Sequence, residues 1–390
     1  MEQTWRRIAW LYALGVLAAA QLGKMSALAP LIASDLDIGL TMAGVLISLL
    51  EIGGATLGFV AGLLVDRLGV ARVLLSGVAL IVAGNLGESL SPSVASLIAW
   101  RVCEGAGYLS IVIAAPLLIF RTAPTENRTV ALALWSSFVP VGFALGAMGS
   151  GLIADLLSWR AATLAWALIA ALMALISSRM TFVASPSGHS RRLVLPSRRI
   201  WALTLAFGCW ASFAVGIIAL LPTFLVEQAG ASARVAGLVG GVSAFISVLG
   251  VALSAWLRHH GARTGVWMTL AIVLPALMLF GVFRDSAGIL QVAVLMLVLN
   301  TISGVYSGLA FALLPVLARS DGEMAVANGL TLQLGATGSL LGPPLFAACV
   351  EQWGWSSAAT AGAVLSALCL LLMQGARPAT LGAAHRQPTR

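Results

Sequence analysis

Apolar runs of about twenty residues, separated by short polar breaks, recur along almost the whole chain. Twelve are read: 8–33, 41–64, 72–90, 94–119, 129–153, 160–178, 200–226, 235–257, 265–283, 288–312, 325–349 and 355–374. A helix of roughly 20 apolar residues crosses a bilayer core. Lipid offers the backbone no hydrogen-bond partner, so each run is expected as a helix. Buried core helices of a soluble protein would not recur this often in one chain. The expected fold class is an all-α polytopic membrane protein with 12 transmembrane helices.

The longest hydrophilic stretch, 181–199, contains Pro186, Gly188, Pro196 and four arginines. It parts the spans into two sets of six. The expected organisation is a helical bundle over 1–180, a cytoplasmic linker over 181–199 that meets lipid headgroups, a second bundle over 200–376 and a cytoplasmic tail over 377–390. The first run lacks a short apolar stretch with a cleavage site, so it reads as a retained span.

Charge tests the count. With the N-terminus inside, 17 of the 22 basic residues fall in inner segments and only Arg160, Arg234 and Arg284 in outer ones. A wrong count would scramble this separation, so the positive-inside rule supports both termini in the cytoplasm of a bacterial inner membrane. The formal charge of +8 is thus topological and does not argue for nucleic acid. Charged residues make up only 9% of the chain, against about 25% in soluble domains.

The halves repeat faintly. Span 2 ends in Gly62, Asp66, Arg67, Gly69 and Arg72; span 8 ends in Ser254, Arg258, His259, Gly261 and Arg263. Aligning Gly69 with Gly261 sets Arg258 opposite Asp66, so the second copy lacks the acid. Repeats of six spans are how secondary transporters build alternating access.

Gly62-x-x-x-Asp66-Arg67-x-Gly69 resembles the signature loop of the major facilitator superfamily. Arg101 through Gly107 in span 4 resembles that superfamily's second motif. Pro140, Gly142, Gly146 and Gly149 in span 5 are similar to its antiporter motif, with Val139 in place of the glycine found there. The start of span 5 (Ala131 to Ser136), and Leu221 to Phe224 with Gly230, Ala236 and Gly237, loosely resemble the cyanate/nitroimidazole-permease-like branch. The resemblance implies two pseudo-symmetric six-helix bundles around a central cavity and a monomer. It also implies gating by the loop of Gly62, Asp66, Arg67, Gly69 and Arg72. The other reading of the loop is a plain cytoplasmic turn with topological arginines.

Four ionisable residues fall well inside spans: Lys24, Glu51, Arg101 and Glu104. By the helical rise they lie at similar depth, about 11 to 15 Å from the outer ends of their spans. Intramembrane charges are costly and mark function or pairing. Arg101 and Glu104, at i and i+3, share a helix face, and Lys24 and Glu51 pair across helices on the structural reading. On the functional reading, Lys24 or Arg101 binds an anionic group while Glu51 or Glu104 takes up a proton. The second half offers softer candidates for solute contact: Trp210, Asn300, Tyr306 and Gln333. Pro30, Pro116 and the Pro343-Pro344 pair are expected to kink or break their spans.

No phosphate-binding loop, nucleophile triad or metal cluster stands out, so neither an enzyme nor a bound cofactor is expected. Nothing resembles a repeated selectivity filter. The four cysteines lie inside apolar runs and read as buried packing. The function expected is secondary active transport, with protons coupled to a small organic anion or polar solute. The alternatives are a proton-driven efflux pump for drugs or metabolites, and a non-transporting sensor on the same fold.

Overall fold

The computed structural model describes residues 2–58, 68–180, 195–284 and 286–376. Among these residues the chain is helical and without strands. Twelve long helices follow one another: α1 Glu2–Leu36, α2 Leu40–Gly58, α3 Val70–Ser89, α4 Val94–Thr122, α5 Phe138–Leu156 and α6 Trp159–Ser178 form the first half. The second half holds α7 Arg198–Glu227, α8 Ala233–His259, α9 Thr264–Val282, α10 Ile289–Leu317, α11 Asp321–Trp353 and α12 Ser356–Gly375. Eleven are long and apolar enough to cross a membrane. The remaining one, α11, has the length but is diluted by Gly, Thr, Asn and Gln.

Serine hydroxyls start several of these helices. Ser93, Ser158, Ser232 and Ser320 each accept a hydrogen bond from the backbone N–H three residues on, at 3.1–3.4 Å, satisfying a donor the helix itself cannot use. Gly69 and Gly261, which the sequence aligns, both adopt positive φ (87° and 69°) just before α3 and α9. An L side chain is strained there, so the turn glycine is kept in both copies.

One expectation about helix continuity is corrected. Span 5 is not one helix: a short helix Arg128–Trp135 precedes α5. Pro140 cannot donate to the Ser136 carbonyl four residues earlier, and at the break the Leu134 carbonyl accepts from the Ser137 amide at 3.1 Å and from Ser137 Oγ at 2.8 Å. Of the kink or break expected at Pro30, Pro116, Pro343 and Pro344, no break occurs: all four lie inside continuous helices. Neighbouring helices make such positions tolerable in membrane bundles.

The packing repeats with a shift of six helices. The pairs α1–α5, α3–α4 and α3–α6 in the first half return as α7–α11, α9–α10 and α9–α12 in the second. The seams between halves repeat too, as α5–α8 and α2–α11, with α1 against α7. Two pseudo-symmetric six-helix bundles result. Ser26 Oγ bonds the Ala219 carbonyl at 2.6 Å across the α1–α7 seam. Glu351, near the end of α11, accepts from the Thr41 amide at 3.2 Å and from the Thr41 hydroxyl, holding the start of α2.

The glycines of span 5 serve close packing. A Cβ on Gly146 would run into the Ala20 carbonyl of α1, and one on Gly23 into the Phe143 carbonyl of α5. Gly146→Leu is therefore expected to destabilise the first half by about 1–3 kcal/mol, read as an earlier thermal transition in detergent. An unchanged transition would mean that α1 and α5 separate freely.

Glu323 ties the start of α7 to the turn before α11. Its carboxylate accepts from the Ser197 amide at 2.8 Å and the Arg319 amide at 2.7 Å. The Arg319 and Ser197 bonds hold it below the usual carboxyl range. The stabilisation is therefore complete above the ordinary glutamate pKa and lost as pH falls through the lower folded value. Glu323→Gln should speed hydrogen exchange at Ser197 and Arg319 about fivefold at pH 7, as expected for losing a bond worth ~1 kcal/mol. Exchange as slow as in the parent would show that the carboxylate does not hold this junction.

Candidate functional site

The site begins at a fault in α2. At Leu49–Glu51 the helix tightens to a 3-10 turn, which frees carbonyls just upstream. Arg101 of α4 takes them: its Nε donates to the Leu46 carbonyl at 3.0 Å and Nη2 to the Ile47 carbonyl at 3.1 Å. Gly105, one turn on, permits this approach, since a Cβ there would sit 3.0 Å from the Leu50 carbonyl. Arg101 Nη1 donates to the Gln21 carbonyl at 3.4 Å and pairs with Glu104.

Lys24 completes the cluster. Its ammonium donates to Asn85 Oδ1 at 2.8 Å, Glu88 Oε2 at 2.6 Å and Glu104 Oε1 at 2.8 Å. An ammonium has three N–H bonds, so all are used. Glu88 Oε1 lies 3.7 Å from Arg101 Nη1. Asn85 Nδ2 donates to Glu104 Oε1 at 2.7 Å. Lys24, Asn85, Glu88, Arg101 and Glu104 all have 0% exposure. Two cations thus face two carboxylates in a sealed, formally neutral network joining α1, α3 and α4.

The Arg101–Glu104 pair is as the i,i+3 spacing expects. Lys24 does not meet Glu51: its partners are Glu104 and Glu88. Glu88 and Asn85 were not singled out in the sequence; they lie two and five residues before the apparent end of span 3. Their signal was present, since residues three apart share a helix face.

Glu51 has a different setting. It is buried and hydrogen-bonded to the side chain of Tyr108, also buried, on α4. Among the described residues it has no ion-pair partner. A Cβ on Gly54 would lie 3.5 Å from Glu51 Oε2 and 2.8 Å from Ala336 Cβ of α11. Glu51 therefore sits at the fault in α2, beside the seam between halves. Tyr108 was also not singled out in the sequence.

In the second half, Trp210 Nε1 donates to Ser303 Oγ at 2.9 Å, and the Trp210 ring lies 5.5 Å from that of Tyr306. Tyr306 is fully buried, its hydroxyl toward Met373 Sδ at 3.7 Å and Cys369 Sγ at 3.5 Å. Asn300, two turns before Tyr306 on α10, bonds the Met296 carbonyl at 2.9 Å. Gln333 stands apart from these: its Nε2 donates to the Ala55 carbonyl at 3.1 Å, bridging α11 to α2. Of the loop residues, Gly62, Asp66 and Arg67 lie outside the described residues; Arg72 is exposed on the first turn of α3.

Twelve helices in two repeating bundles, with ionic groups sealed inside one of them and seams between the two, define a polytopic carrier. The family model described as Major Facilitator Superfamily matches residues 11–337. The chain belongs to the Major Facilitator Superfamily, whose members are transporters and not enzymes. It is 22% identical over 399 residues to the hexuronate transporter of Bacillus subtilis, covering 95% of this chain and 94% of that one. It is 28% identical over 192 residues to the methylenomycin A resistance protein of Streptomyces coelicolor, covering 49% of this chain and 40% of the relative. The match thus spans less than half of that relative's length. Among solved structures, a bacterial homologue of the human lysosomal transporter Spinster, inward-facing and occupied, superposes with a TM-score of 0.78 at 16% identity, covering 95% and 91% of the two chains. The nucleoside transporter NupG gives 0.75 at 13% identity, covering 94% and 98%. These likenesses concern the fold.

Proposed function

We propose that this transporter works by alternating access and couples a small organic anion or other small polar solute to protons. One observation supports the coupling: Glu51 is a buried carboxylate with a neutral hydroxyl partner and no cation partner among the described residues, at a fault in α2 beside the seam with α11. A carboxylate so placed gains or loses a proton without breaking an ion pair, and its charge changes where the halves must part. Glu104 is held by two cations, so we assign it with Lys24 and Arg101 to the scaffold of the first half in this conformation. An anionic solute would engage Lys24 or Arg101 only after displacing Glu88 or Glu104. The full-length similarity to a hexuronate transporter supports a small anionic solute. Trp210, Asn300, Tyr306 and Gln333 are our candidates for the opposing wall, and the loop from Gly62 to Arg72 for gating at the cytoplasmic face of the inner membrane.

A second reading, proton-driven export of an uncharged or lipophilic compound, is favoured by the neutralised cations and by partial similarity to resistance proteins. Purified protein in liposomes separates the two. Proton entry accompanying an added anion supports the first; lumenal proton release on adding a neutral drug outside supports the second. Solute movement indifferent to a pH gradient would sink both.

A further inference from the structure

At the end of the bundle where the chain begins, the first turns of α1 and the end of α6 line an open groove of about 400 Å³. It is lined by Gln3, Arg6, Arg7, Trp10, Ile176 and Met180. Trp10 Nε1 donates to Ser177 Oγ at 2.9 Å, pinning the two helices together beside it. The lining is thus amphipathic: two guanidinium groups beside an indole, an isoleucine and a methionine.

Neither Arg6 nor Arg7 has a hydrogen-bond or ion-pair partner among the described residues. The chain supplies few anions here. Glu2 is the one acid before Asp35, and segments 181–194 and 377–390 contain no Asp or Glu, while 181–194 adds Arg191 and Arg192. The linker that begins beside the groove would therefore add like charge. Both helices span the membrane, so their ends lie at the headgroup layer, where basic pockets between helices suit anionic lipids. Lone phosphate would satisfy the arginines and leave the apolar wall uncovered.

We propose that this groove binds an anionic phospholipid, its phosphate held by Arg6 and Arg7 and an acyl chain lying along Trp10, Ile176 and Met180. The site is independent of Glu51, of the Lys24–Arg101 ion-pair network and of the direction of transport.

The test is lipid binding to the purified full-length protein in neutral detergent, by native mass spectrometry with phosphatidylglycerol, phosphatidylcholine and inorganic phosphate. Phosphatidylglycerol should bind in preference to phosphatidylcholine. The double variant R6Q/R7Q should bind it roughly thirtyfold more weakly, the factor two basic residues supply near an anionic surface, and R6K/R7K should restore most of it. Ile176→Ser, at an exposed position, should weaken long-chain binding more than short-chain binding and keeps the proposal testable should R6Q/R7Q not fold. Equal binding of both lipids, equal binding of inorganic phosphate, or loss in R191Q/R192Q with R6Q/R7Q unaffected would each overturn it.

Discussion

Arg101→Gln is expected to cost the protein about 3–5 kcal/mol of stability, the range for removing one partner of a buried ion pair. Three losses coincide. Glu88 and Glu104 are left with Lys24 as their one cation, so a net negative charge is sealed where no side chain is exposed. The Leu46 and Ile47 carbonyls at the fault in α2 lose their donors, and an unpaired buried carbonyl costs about 1–3 kcal/mol. Glutamine is also shorter, leaving a gap among α1, α2 and α4. Thermal unfolding in detergent reads the sum. The charge component separates in a double variant: Arg101→Gln with Glu88→Gln restores neutrality and should recover more than ~1 kcal/mol beyond additivity. A single variant within about 0.5 kcal/mol of the parent would show that the network does not brace the first half. Lys24, Arg101 and Glu104 would then be free to act on solute.

The sequence made the helices legible because lipid leaves no other outcome for so many apolar runs. The repeat was legible at Gly69 and Gly261, where a positive φ demands the same residue twice. What it hid were the places where polar groups settle accounts with one another across helices. Hydropathy ends span 3 near residue 90, which leaves Glu88 out of the charges well inside spans, although α3 sinks it beside Lys24. The fault at Leu49–Glu51 has no Pro or Gly at its centre; it is held open from outside by Arg101, and no local pattern in α2 announces that. Gln333 reads from the sequence as a candidate for solute contact, and its side chain bonds a carbonyl 278 positions away. Depth along each helix was computable from the rise per residue. Azimuth was not, and azimuth separates Glu51 at the seam from Glu104 inside the bundle.

That separation gives the second large effect. Glu51→Gln should reduce uptake driven by a pH gradient at least tenfold while leaving solute exchange between loaded liposomes intact. Glutamine keeps the size and the hydrogen bond to Tyr108 but neither gains nor releases a proton. Exchange needs no net proton movement, so it should survive if the halves still rock about the α2–α11 seam. Glu104→Gln should behave otherwise. It leaves Lys24 and Arg101 in excess over Glu88, so the loss should appear first in yield and thermal stability, with any remaining uptake still following the gradient. Tyr108→Phe tests the same site from its partner: the carboxyl stays, its donor goes, and the pH profile of uptake should move while exchange does not. Gradient-driven uptake unchanged in Glu51→Gln would remove Glu51 from the coupling. If Glu104→Gln instead abolished coupling in a well-folded protein, the proton would have to travel through the ion-pair network, with Lys24 and Arg101 releasing and recapturing their carboxylates in each cycle.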